Sequence, residues 1–300
     1  MTVREFVEEW LATRKPEVKP GTIKVYRRVM DELLEALGEK AKGEICDVTQ
    51  RDIVAFRAAR GAALSGKSTN HELSCVRMLF RAAKRDGLIA DDPAEFVEQV
   101  RSTPTVARRA FTVDELRAIL KAAGKEWRSM IVFGLYTGQR LGDIASLTWA
   151  NIDTEHDEIR LVTQKTNRVI VLPIAAPLRR HIEALPAGDI PAAPIHPEAL
   201  EIMTRAGRST PLSNQFAAIL SAVGMRPKRQ KGESSPMGRR YELSFHSLRA
   251  TATTMLHEAG IPASVAQAVI GHDSEAVHSG YIKVGRGALS KAVDAFPDVL

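Results

Sequence analysis

The chain has 300 residues, 44% hydrophobic and 26% charged, with a formal net charge of +6 and two cysteines. That is enough apolar material for one large or two ordinary domains, but no run approaches the roughly 18 apolar residues of a membrane helix. The acidic, amphipathic start lacks a signal peptide's basic block, so the expected location is the cytoplasm, and Cys46 and Cys75 lie too far apart for a disulfide framework or a metal cluster.

Residues 1–100 read as helical throughout. Phe6, Val7, Trp10 and Leu11 mark a first helix by their three- and four-residue spacings. A second runs from about Thr22 to Leu37 and stops at Gly38. Thr49, with Asp52 three residues on, starts a third that leads into Ile53, Val54 and Phe56. The fourth covers about Thr69 to Arg85, with Leu73, Val76, Leu79 and Phe80 inward; Cys75 shares that apolar stripe and reads as a small core residue. Four helices with short connections make a bundle. This region carries 17 basic and 17 acidic residues, whereas the remainder carries the whole excess of +6. The basic residues of the first region nevertheless cluster in stretches 14–28 and 57–85. Apolar positions interrupt them, which suits helices laid along a phosphate backbone.

Residues 100–110 lack periodicity, contain Pro104 and are basic, so they read as a linker. A second domain, 111–300, opens at a capping box formed by Thr112 and Glu115. Alternation over 158–163 and 168–173 predicts two strands joined by a turn at Gln164-Lys-Thr-Asn167. Helices resume near Ala176, Pro197, Pro211, His246, Pro262 and Ala288. The polar, basic loop 225–240 is long enough to be functional or disordered. The fold class expected is mainly α with a small antiparallel β-hairpin or sheet, an α+β arrangement.

Residues 61–68, Gly-Ala-Ala-Leu-Ser-Gly-Lys-Ser, match the phosphate-cradling GxxxxGK[ST] pattern in form. The chemistry needs that loop to follow a buried strand and open a helix, so that backbone amides converge on phosphate. Here an amphipathic helix precedes it and no parallel-strand pattern surrounds it. Gly61 and Gly66 are read as breaks between helices, with Ser68 or Thr69 capping the next one.

The chemistry-bearing residues lie in the second domain. Thr137-Gly-Gln-Arg140 ends one helix at a glycine and starts another, with Asp143 one turn on and able to hold the Arg140 guanidinium. His246-Ser-Leu-Arg249 sets two polar groups at i and i+3 on one helix face. Gly271-His272 follows an apolar helix, and Tyr281 comes nine residues later. Energy-conserving DNA cleavage needs a covalent intermediate. A tyrosine can form it, although its phenol has a pKa of about 10 and needs a proton acceptor. Arginines suit the charge that builds on the phosphate oxygens, because their guanidinium is always ionised and binds bidentately.

In this order and spacing the chain resembles the tyrosine recombinase family, also called phage integrases. The motifs that carry the likeness are Thr-Gly-Gln-Arg140 with Leu147-Thr-Trp149, His246-Ser-Leu-Arg249, Gly271-His272 and Tyr281. Lys67-Ser-Thr-Asn-His-Glu-Leu-Ser-Cys-Val-Arg-Met-Leu-Phe80 resembles part of the family's helical core-binding domain. The resemblance implies that Arg140 and Arg249 clamp the scissile phosphate and that His246 bonds it or moves the nucleophile's proton. It implies that Lys165, on the hairpin turn, protonates the 5′ leaving oxygen, that His272 orients a phosphate oxygen, and that Tyr281 attacks. It further implies a core-binding bundle (1–99) and a catalytic domain (111–300) clamped about double-stranded DNA, acting as a homo-tetramer assembled from monomers through a Holliday junction. A tail helix, 286–296, is expected to exchange between protomers.

Backbone contacts are expected from Arg27, Arg28, Lys67, Arg77, Arg81, Arg101, Arg108, Arg109, Arg229 and Lys231. Accessory DNA-bending or directionality proteins are compatible with this reading; no metal, cofactor or membrane is expected. Ala250 stands where the family frequently has histidine. The segment around Tyr281 lacks a common upstream threonine and a histidine two residues beyond, which bears on regulation rather than on the catalytic groups. Two alternatives compete: a catalytically silent DNA-binding protein of the same fold, opposed by the complete polar set, and a type IB topoisomerase, opposed by the core-binding bundle.

Overall fold

The first hundred residues fold as their apolar stripes dictate. In the computed structural model, which describes residues 1–101, 109–186, 190–227, 241–270, 290 and 292–298, they form α1 (Val3–Arg14), α2 (Pro20–Leu37), α3 (Gln50–Ala63) and α4 (Gly66–Arg85). Phe6, Trp10, Leu33, Phe56, Leu73, Leu79 and Phe80 meet in one buried core. Thr2 and Thr49 each close a capping box, with Glu5 and Asp52. Cys75 is buried in this core, and burial, reinforced by the nearby Glu72 charge, pushes its thiol up to about 11, so it is an inert packing residue.

The start of α4 corrects the sequence expectation. Ser65, not Ser68 or Thr69, is the cap and accepts from the Ser68 amide, so Gly66, Lys67 and Ser68 form the first helical turn. Gly61 lies inside α3 rather than at a break. The nucleotide-loop pattern therefore spans a helix end and a helix start, and among the described residues no strand precedes it.

Described residues from Arg109 onward form a second unit with its own core. It opens with α5 (Val113–Ala122), capped by Thr112 and Glu115 as expected, and continues through α6 (Lys125–Thr137) and α7 (Leu141–Ala145). A three-stranded antiparallel sheet follows, β1 (Ile152–Asp153), β2 (Glu158–Val162) and β3 (Val169–Pro173), in the order β1-β2-β3. Ile159 pairs with Leu172 and Leu161 with Ile170, which turns all four into the core. The helices α8 (Ala176–Glu183), α9 (Pro197–Ala206), α10 (Thr210–Ala222), α11 (His246–Glu258) and α12 (Ala263–Ile270) complete it.

Two close approaches set the geometry. A Cβ on Gly134 of α6 would lie 2.9 Å from Phe245 and 3.0 Å from Leu248, so α6 and α11 pack with only a hydrogen between them. Gly138 ends α6 at φ +63°, and a Cβ there would meet Ile270 of α12 at 2.5 Å. Both contacts require glycine.

The described end of the tail packs on its own domain. Ala292, Val293 and Phe296 are buried in the second core, Phe296 stacks edge-on against Tyr136 at 5.4 Å, and Tyr136 donates to the Pro297 carbonyl at 2.7 Å. Arg180 pairs with Asp298. In the single chain, therefore, this segment docks in cis; the exchange implied by resemblance would have to break these contacts.

Candidate active site

The junction between α6 and α7 gathers the site. Gly138 adopts the left-handed conformation that stops α6, and Arg140 takes the extended N-cap position of α7. Arg249, in the first turn of α11, is 3% exposed and donates from Nη1 to the Gly138 carbonyl at 2.8 Å. Arg249 thus bonds the backbone two residues before Arg140, although the two arginines are far apart in sequence. Buried guanidinium has to be paired, and the Gly138 carbonyl is one of its partners. His246, the first residue of α11, is exposed, so the i, i+3 pair divides into a buried cation and a surface imidazole.

Gln139, which the sequence reading passed over, is 3% exposed and bonds the Thr137 carbonyl at 3.0 Å and the Ile270 carbonyl at 3.5 Å. It ties the junction to the end of α12, the last described residue before Gly271-His272. Its only sequence signal was its place in the Thr-Gly-Gln-Arg motif. His272 and Tyr281 lie outside the described residues.

The partner of Asp143 corrects another expectation. Its Oδ1 accepts from the Gln164 amide at 2.8 Å rather than from the Arg140 guanidinium, and Oδ2 is buried without a hydrogen bond. Gln164 Nε2 also donates to Ser146 Oγ at 3.0 Å. The β2–β3 turn is therefore docked onto α7. Within the turn, Thr163 Oγ1 and Thr166 Oγ1 lie 2.7 Å apart, and Asn167 adopts φ 54° to complete it. Exposed Lys165 is carried on this anchored turn, which docks on the helix that Arg140 precedes as N-cap. The two guanidinium groups suit an anionic ligand such as phosphate, and the ammonium and imidazole are groups able to exchange protons.

Residues 109–286 match the phage integrase family, and residues 5–87 match the phage integrase N-terminal SAM-like domain. The chain belongs to the phage integrase family. It is 28% identical over 284 residues to tyrosine recombinase XerD of Mycobacterium tuberculosis, covering 86% of this chain and 85% of that protein. It is 26% identical to tyrosine recombinase XerC of Alcanivorax borkumensis, covering 98% and 92%. Its fold is that of a lambda integrase tetramer solved on a Holliday junction, with a TM-score of 0.66, 20% identity, and 95% of this chain and 80% of the other covered. As a member of this family the chain is a tyrosine recombinase, an enzyme of site-specific DNA recombination.

The expected DNA-facing cations of this integrase-family chain fall into distinct groups. Lys67, Arg81 and Arg101 are exposed. Arg27 is bonded twice by Glu8, and Arg28 donates to Glu72 at 2.7 Å. Arg109 is held by Glu115 and Glu242. Arg77 does not belong to the set. Its guanidinium is part-buried and bonds the carbonyls of Ala94, at 3.2 Å, and Val97, which folds the segment after α4 back along the helix. Asn70 completes that fold by exchanging two 2.8 Å bonds with the backbone of Val100. Arg108, Arg229 and Lys231 lie outside the described residues.

Glu72 is the hub of the first unit. It is 1% exposed and receives Arg28 and also Arg60, which further binds Glu32. Burial pushes its carboxyl up, but hydrogen bonds from Arg60 and Arg28 outweigh that and hold it below the ordinary value. The network joins α2, α3 and α4.

Proposed function

We propose that this enzyme cuts and rejoins duplex DNA through a 3′-phosphotyrosyl intermediate on Tyr281. The Tyr281 oxygen bonds phosphorus as the bond from phosphorus to the 5′ oxygen breaks. The phenolic proton passes to His246, and Lys165 gives a proton to the departing 5′ oxygen. Arg140 and Arg249 neutralise the phosphate in the transition state, where fixed charges act most strongly, and His272 orients one of its oxygens. Attack by the 5′ hydroxyl of a second strand reverses the step and rejoins DNA. The observation that supports this reading is the Arg249 bond to Gly138, which sets a residue of α11 against the turn leading into Arg140.

The lambda integrase tetramer on a Holliday junction supports four copies acting together. The family resemblance adds that the tail would leave its cis contacts to link protomers. Among the described residues no helix is long and apolar enough to cross a membrane. Action on DNA supports a cytoplasmic location as part of this proposal. Accessory DNA-bending or directionality proteins fit the same reading. The test uses nicked suicide duplexes tiled from the DNA flanking the gene. One of them should trap a covalent protein–DNA product that disappears in Tyr281→Phe and falls strongly in Arg140→Ala and Arg249→Ala. A product that persists in Tyr281→Phe overturns the proposal.

A further inference from the structure

We infer that His196 is a positioning residue of this site, a buried strut that holds the far end of α7 and so aims Arg140. What α7 carries rests on the cleavage chemistry proposed above; the strut itself does not.

His196 is fully buried at the N-cap of α9 and joins three elements. Its Nδ1 lies 3.1 Å from the carbonyl oxygen of Ile144, the next-to-last residue of α7, and its Nε2 lies 2.9 Å from Ser129 Oγ on α6. A carbonyl can only accept, so Nδ1 carries the proton, and Nε2 is left to accept from the Ser129 hydroxyl. Phe133 packs edge-on against the ring at 5.3 Å and 90°, which fixes its plane. Burial drives the imidazole's pKa down to about 4, so the neutral form with this tautomer persists at the pH of DNA chemistry.

The mechanical reason lies in the length of α7. Five residues make little more than one turn, which its own hydrogen bonds cannot orient. It is held instead from outside. Gly138, just before it, accepts from Arg249; Asp143, in its middle, accepts from the hairpin turn; and Ile144, near its end, accepts from His196. Of these three, His196 is the one outside the proposed machinery. At 1.5 Å per residue α7 is about 7.5 Å long, so a tilt of about 10° moves one end by about 1.3 Å relative to the other. A misplacement of about 1 Å is enough to cost about a hundredfold in rate. A phenylalanine would fill the same space but could not hold the carbonyl.

Three variants test this. In His196→Asn the amide nitrogen stands where Nδ1 was and keeps the bond to Ile144. His196→Gln reaches toward Ser129 instead, and His196→Phe keeps volume with no donor. Single-turnover formation of the covalent product at saturating suicide DNA should stay within threefold of wild type for Asn and fall tenfold or more for Phe and Gln. DNA affinity should change less than twofold in all three. Hydrogen exchange of amides 143–147 should quicken in Phe and Gln but not in Asn. Wild-type cleavage and exchange in Phe, or equal loss in Asn and Gln, overturns the inference. If Phe does not fold, the Asn–Gln pair decides alone. If wild type traps no DNA, the cleavage chemistry fails by itself, and the exchange comparison still judges the strut.

Discussion

Acidifying the solution from pH 7 to pH 5 puts a proton on histidine in the unfolded chain, but not on His196 in the folded one. Its ordinary pKa of 6.5 falls to about 4 in the native structure, chiefly through burial, with the charge of His181 adding to the effect and the bond to Ile144 opposing it. A depressed pKa means that the unfolded state binds more protons between these values. The stability it contributes is complete above pH 6.5 and is lost as the pH falls through 4. At pH 5 the loss from this one group is about 2 kcal/mol, because the unfolded imidazole is almost fully charged there and the native one almost neutral. For a domain of this size that corresponds to a fall in Tm of about 4–8 °C. His181 is shifted down by burial and by Arg128, so it adds to the acid sensitivity; Glu126 is pushed up by burial and opposes it. Both are removed by difference. Calorimetry of wild type and His196→Asn at pH 7 and pH 5 gives two falls in Tm, and the wild-type fall should be the larger by that amount. Equal falls would refute the reasoning, as would an NMR titration in which the His196 ring protonates above pH 5.5.

Glu72→Gln leaves Arg60 without its buried partner and should lower the stability of the first unit by about 3 kcal/mol; a change in Tm below 3 °C would show the network to be idle. Gly138→Ala should lower Tm, since the left-handed conformation alone costs a residue with a Cβ about 1–2 kcal/mol and the Ile270 contact adds to it. Cleavage should fall further than DNA binding in this variant, and unchanged single-turnover rates would count against the junction's role. Arg81→Ala should flatten the dependence of log affinity on log salt by about one phosphate contact, whereas Arg77→Ala should leave that slope alone and destabilise the segment 94–97. Matching slopes in the two variants would contradict their assignments.

Much of the architecture was legible because it is set by neighbours in sequence. Apolar residues at helical spacing marked α1 to α4, Thr49 with Asp52 and Thr112 with Glu115 announced helix starts, and alternation found β2 and β3. The errors were also local in origin. The pair Ile152–Asp153 is too short to alternate, so β1 went unseen. Ser65 was passed over as a cap because the glycine after it resembled a break. Arg140, His246 and Arg249 came from an ordered motif and Lys165 from the family resemblance, and both name residue types but not their partners.

Those partners are a property of the folded chain. Nothing near Asp143 in sequence predicts that it holds Gln164, and nothing near Arg77 predicts that it holds Ala94 and Val97. A guanidinium on a helix face reads the same whether it meets solvent or a returning loop. His196 is the clearest instance: alone before a proline it looks like a helix cap, and only the convergence of α6, α7 and α9 places a carbonyl and a hydroxyl on its two nitrogens. Periodicity and caps determine elements because they act over three or four residues. A hydrogen bond across the core depends on where several elements come to rest together, and so only the tertiary structure decides it.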